Sequence, residues 1–108
     1  MSALTIVTKD TYATEVEQAS QLVVIDFFSP WCMPCKAMEP VLDEIAAERA
    51  DQVKIVKVDA SAEPDLAAKF GIRGAPTFVA LRNGEKVDML IGAKPKQAML
   101  DWIDSADL

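Results

Sequence analysis

Apolar positions along this chain change period several times, and each change marks an element. Gln21 to Phe28 contains Leu22-Val23-Val24-Ile25-Asp26-Phe27-Phe28, a nearly continuous apolar run that reads as a central strand buried on both faces. Leu4-Thr5-Ile6-Val7 reads as a short first strand and Val53 to Val58 as a third. Between these runs the spacing becomes helical. Thr8 to Ser20 carries Tyr12, Val16 and Ala19 on one face. Pro34 to Arg49 carries Met38, Val41, Leu42, Ile45 and Ala46 at i, i+3, i+4, i+7 and i+8, with Pro40 inside it. Glu63 to Phe70 is a short helix with Pro64 near its start, where a missing N–H does no harm.

After Gly71 strand periods return. Pro76 to Leu81 and Lys86 to Ile91 are strands joined by Arg82-Asn83-Gly84-Glu85, and Asn-Gly between two apolar runs predicts a tight hairpin with positive φ at both turn positions. Pro95 to Ser105 closes the chain as a helix with Ala98, Met99, Trp102 and Ile103 on one face. The order is β-α-β-α-β followed by α-β-β-α. Right-handed crossovers make the first three strands parallel, and the hairpin adds two antiparallel ones. The expected fold is α/β, one domain over residues 1–108, with a mixed five-stranded sheet covered by helices on both faces.

Composition narrows the function classes. A net charge of −6 disfavours nucleic acid, which needs a basic patch, and anionic membrane surfaces. No apolar run is long enough to span a bilayer. Met1-Ser2-Ala3-Leu4 shows no basic region or apolar core of a signal peptide, so the expected location is cytoplasmic. The absence of histidine excludes an imidazole base, a Cys-His nucleophile pair and histidine metal ligands.

The candidate chemistry lies in Trp31-Cys32-Met33-Pro34-Cys35-Lys36, which holds both cysteines of the chain. Two cysteines at this spacing suit a redox pair, half of a metal site or a small staple. A zinc site needs four ligands and two are present, so no metal is expected. A bridge over so short a loop removes little unfolded-state entropy. As a redox pair, Cys32 at the start of the long helix has its thiolate favoured by exposed N–H groups and the helix dipole, with Lys36 one turn on. Cys32 is then the nucleophile and Cys35 the resolving thiol. Asp26, in the middle of a buried strand, should have a pKa raised toward neutrality and is the candidate proton acceptor for Cys35. Lys57, on the next strand, can reach Asp26 and moderate that shift. Trp31 reads as packing or as a flat contact surface. A cis bond between Ala75 and Pro76 would free the Ala75 backbone to pair with an extended peptide.

Taken together, the Trp-Cys-x-Pro-Cys-Lys segment at 31–36, Asp26, Lys57, Gly74-Ala75-Pro76-Thr77, Asn83-Gly84 and Gly92 closely resemble the thioredoxin family. The resemblance implies the thioredoxin fold, with strand order 1-3-2-4-5 and four helices, two on each face. It implies a monomeric protein-disulfide reductase serving electron transport and cell redox homeostasis. A Cys32–Cys35 disulfide would exchange with disulfide-containing target proteins, without a bound cofactor, and would be recharged by thioredoxin reductase from NADPH. It implies a cis Ala75–Pro76 bond and a substrate groove formed by Trp31, Ala75, Pro76, Gly92 and Ala93. Met33 and Pro34, between the cysteines, are expected to set the redox poise. Met33 stands where the family usually has Gly, Phe28 where it has Trp, Ser29-Pro30 where it has a small-acidic pair, and Ala75 where it has a larger apolar residue. Two other readings are a thiol oxidase or isomerase with a shifted potential, and a redox-independent binding subunit.

Overall fold

The computed structural model describes residues 3–108; Met1 and Ser2, part of the segment read for a signal peptide, lie outside the described residues. A four-stranded mixed sheet forms the centre. Its strands are β1 (Leu22–Phe28), β2 (Val53–Asp59), β3 (Thr77–Arg82) and β4 (Glu85–Ile91), in the order β2-β1-β3-β4. β1 runs parallel to β2 and antiparallel to β3, and β4 returns antiparallel along β3. The register sets Asp26 opposite Lys57 on one side and opposite Phe78 on the other.

Successive side chains of a strand point to opposite faces, so this sheet has two cores. Leu22, Val24, Ile55, Phe78 and Ala80 face α1 (Met33–Glu48) and α3 (Lys96–Ala106), packing on Met38, Leu42, Ile45, Met99 and Ile103. Val23, Ile25, Phe27, Val56 and Val79 face the other way, toward α2 (Pro64–Lys69) and a short π-helical turn at Ala13–Glu17. Two helical segments therefore cover each face, as expected. α1 begins where Pro34 occupies its first turn, a position that needs no N–H, and runs through Pro40 to Glu48. The hairpin between β3 and β4 turns at Asn83 (φ 54°) and Gly84 (φ 81°), the two positive-φ positions that Asn-Gly foretold.

Three expectations change. Leu4-Thr5-Ile6-Val7 is not a fifth strand but a single parallel bridge, Ile6 to Lys57. It lies beside β2 as the expected order requires, with Lys57 N–H bonded to Thr5 O (2.9 Å) and Val7 N–H to Lys57 O (2.7 Å). The ladder stops because both ends are drawn elsewhere: Ala3 N–H bonds to the Asp43 carboxylate at 3.2 Å, and Thr8 N–H bonds to Thr11 Oγ1 at 3.0 Å. The same Thr8–Thr11 turn shortens the helix expected over Thr8 to Ser20, since a side-chain cap competes with helical bonding. What remains is the π-turn, closed by Gln18 N–H to Ala13 O at 2.9 Å, with Tyr12 and Val16 still buried. In α3, Ala98 is exposed and Ala106 fills the buried face with Met99, Trp102 and Ile103.

Leu42 is buried between α1 and the sheet, and a cavity there cannot close without moving the helix that carries the cysteines. Leu42→Ala is expected to lower unfolding free energy by roughly 2–5 kcal/mol in urea titration. A loss below about 1 kcal/mol would show that this interface is loosely packed.

Candidate active site

Cys32 is the N-cap of α1. Its φ of −86° and ψ of 106° are extended, and its Sγ accepts the Cys35 backbone N–H at 3.1 Å. The helix continues from it through Lys36 N–H to Cys32 O at 3.2 Å. A sulfur in this position meets N–H groups that have no helical partner and the positive end of the helix dipole, both of which favour its thiolate. The two sulfurs are joined as a Cys32–Cys35 disulfide, with Cα atoms 5.2 Å apart. Cys32 is partly exposed, whereas Cys35 is buried at 4% exposure. One sulfur is thus partly presented to solvent and the other is kept behind it.

Around Cys32 the chain forms an apolar rim. The Ala75 carbonyl oxygen stands 3.4 Å from Cys32 Sγ. The Ala75–Pro76 bond is cis, Pro76 is buried, and Thr77 Oγ1 donates to Gly74 O at 2.8 Å, holding the turn before β3. Gly92 (φ 92°) donates its N–H to Pro76 O at 2.9 Å, which brings Gly92 and the exposed Ala93 to the same end of the sheet. Trp31, Met33 and Ile91 stand out among the large apolar side chains, at 77%, 70% and 70% exposed. Apolar side chains concentrated at one end of a sheet and left in water mark a contact surface. The five expected groove residues are therefore brought together, and Met33 joins their rim. Ile91 was not singled out from sequence; its signal is its place as the last residue of β4, opposite Thr77 and beside Gly92.

On the side of the sheet that faces α1, buried and half-buried charged groups meet. Asp26 is 1% exposed and neither carboxylate oxygen has a hydrogen-bond partner. Burial raises its pKa to about 7; Lys57 pulls the value down and Glu39 pushes it up. Lys57, at 6% exposure, is the strand partner of Asp26, as the sequence reading required. Its ammonium does not settle on Asp26, however. It lies 3.3 Å from Glu39 Oε1 and 4.4 Å above the Phe28 ring, so Phe28 supplies a cation–π face at this position. Glu39 was missed in the sequence reading. It sits four residues after Cys35, one helical turn along the inward face of α1, and that spacing was its signal. Among the described residues no cluster of three metal-ligating side chains occurs, and no helix is long and apolar enough to cross a membrane.

Comparison with known proteins agrees with this geometry. The family model described as thioredoxin matches residues 3–105. "Thioredoxin 1" of Synechococcus elongatus is 42% identical over 104 residues, covering 96% of this chain and 97% of the relative. The thioredoxin of Rickettsia prowazekii is 38% identical over 100 residues, covering 93% and 95%. The chloroplastic M-type thioredoxin of Chlamydomonas reinhardtii is 39% identical over 98 residues, covering 91% and 70%.

The unpartnered carboxylate has a measurable cost. Folded Asp26 keeps its proton to about pH 7, against 3.8 for an ordinary aspartate. Between those limits the folded protein binds more protons than the unfolded chain, so stability falls as pH rises through the window. Asp26→Asn should remove that loss. At pH 8 the variant is expected to be more stable in urea by roughly 2–4 kcal/mol, the ceiling being about three units at about 1.4 kcal/mol each. The gap should close below pH 4. No gap at pH 8 would mean that Asp26 is ionised and satisfied.

Proposed function

The chain belongs to the thioredoxin family and is a protein-disulfide reductase, a thiol-disulfide oxidoreductase working through a redox-active disulfide on disulfide-containing targets; from that premise we propose the roles of its residues. The Cys32 thiolate attacks one sulfur of a target disulfide. A Cys32–target mixed disulfide forms, and the first target sulfur leaves as a thiolate that takes a proton from water. Cys35 then gives its proton to Asp26, directly or through a water, and attacks Cys32 Sγ. The mixed disulfide breaks, the second target sulfur leaves, and the Cys32–Cys35 bond closes. Two electrons have passed to the target, which is released as a dithiol.

The observation that carries this assignment is the capping geometry: Cys32 Sγ accepts the Cys35 N–H at the helix start. Asp26, with its pKa raised to about 7 chiefly by burial, exchanges a proton near neutral pH, as a base for a thiol must. Lys57 acts as the charge that keeps this shift from going further. Trp31, Ala75, Pro76, Gly92 and Ala93, with Met33 and Ile91, form the surface for an extended target segment, and the Ala75 backbone supplies its polar contacts. Met33 and Pro34 set the redox poise. We further propose that the whole of 1–108 is one such domain, that it acts as a monomer in the cytoplasm, and that thioredoxin reductase recharges it from NADPH.

In an insulin-reduction assay with NADPH and a thioredoxin reductase, the parent should precipitate insulin while Cys32→Ser is inactive. Cys35→Ser should instead accumulate a mixed disulfide that survives denaturation. Activity retained by Cys32→Ser would sink the assignment. Equilibration with glutathione distinguishes a reductant from an oxidase. Met33→Gly should move that equilibrium only modestly, toward greater reducing power if at all. A parent potential well above the cytosolic glutathione poise would make the protein an oxidant.

A further inference from the structure

The layer between α1 and the sheet holds one cation and two carboxylates. Lys57 is 6% exposed and reaches Glu39 at 3.3 Å, while Asp26, its own strand partner, keeps both oxygens without a hydrogen bond. A buried carboxylate left in this way is costly when charged, and an ammonium on the neighbouring strand would relieve the cost. Glu39 competes for that ammonium. It approaches from the helix side, is 27% exposed and so retains part of its hydration, and sits one turn below Cys35.

Among the described residues, Lys57 and Glu39 are the charges that act on the Asp26 carboxyl. Thr77 and Phe78 of β3 are neutral, α3 presents Met99 and Ile103, and Lys36 of α1 is exposed. The charged groups that act on Asp26 are thus Lys57 from β2 and Glu39 from α1.

We propose that Glu39 is a positioning residue for disulfide exchange: it holds the buried Lys57 ammonium toward α1 and so keeps Asp26 free to take and return the Cys35 proton. With a neutral residue at position 39, Lys57 has one carboxylate left to pair with. Asp26 would then be fixed as a paired anion, available at lower pH but a weaker base once ionised. Control of the second exchange step therefore resides in three side chains on three elements, β1, β2 and α1. The charge of Glu39 also acts on Asp26 directly, raising its pKa where Lys57 lowers it.

This inference rests on Asp26 acting as the base, and the two can fail separately. The test is the titration of the Asp26 carboxyl by carbon-13 NMR in the oxidised protein, beside the pH–rate profile for resolution of a mixed disulfide. Glu39→Gln should lower the Asp26 midpoint by roughly one unit, the size of a neighbouring-charge effect at such range. The acid limb of the rate profile should move the same way. Glu39→Asp, which keeps the charge, should stay near the parent in both. In a Lys57→Met background the Glu39→Gln shift should shrink, because its route through the ammonium is gone. A midpoint unmoved by Glu39→Gln overturns the proposal, as does a full shift persisting without Lys57. A midpoint that moves while the rate profile stays fixed upholds the hold of Glu39 on Lys57 and removes Asp26 as the base.

Discussion

A carboxylate without a hydrogen-bond partner, in the middle of the central strand, is the constraint around which this molecule is arranged. Asp26 lies in β1, where every neighbouring position is apolar and buried. Such a group is tolerated because it can hold a proton, and in the proposed mechanism its proton affinity is useful because the Cys35 thiol must lose one. The paired core layers, the parallel match of β1 with β2 and the seating of α1 on the sheet all bear on where that carboxylate lies relative to Cys35. Apolar packing supplies the stability, and one polar group in it is kept in a state that packing alone would not select.

The nucleophile is controlled by a different part of the physics. Cys32 stands outside the core, at the tip of α1, where backbone N–H groups stabilise negative charge without any charged side chain. In the proposed mechanism the first sulfur is therefore governed by a helix end and the second by a buried acid. Separating the two controls lets a histidine-free chain run both steps. It also leaves the rim around Cys32 free to be apolar, with Trp31, Met33 and Ile91 open to water and to targets.

Much of this was legible in the sequence because the relevant signals are local. The continuous apolar run around Asp26 told its burial, Asn83-Gly84 told the hairpin, and the cysteine spacing told the place of Cys32 at a helix start. What sequence did not tell depends on contacts between distant segments. Leu4 to Val7 has the composition of a strand, but its ladder is cut short by Asp43 and by the Thr8–Thr11 turn. The helix over Thr8 to Ser20 yields to that same turn. Glu39 looked like any helix carboxylate until Lys57, eighteen residues on, was found against it. Ala98 and Ala106 are alike in composition, but α3 runs on to Ala106, which falls one turn past Trp102 and Ile103 on the buried face, while Ala98 is exposed.

The register that sets Asp26 opposite Lys57 carries a consequence for what a turnover assay reports. Side chains alternate across a strand, so a slip of one residue between β1 and β2 would turn one partner to the opposite face. A chain in that state could retain its secondary structure and an exposed Cys32, and still fail to finish an exchange. Under the proposed roles, completed turnover would report the alignment of two backbones to a single residue, which overall compactness does not.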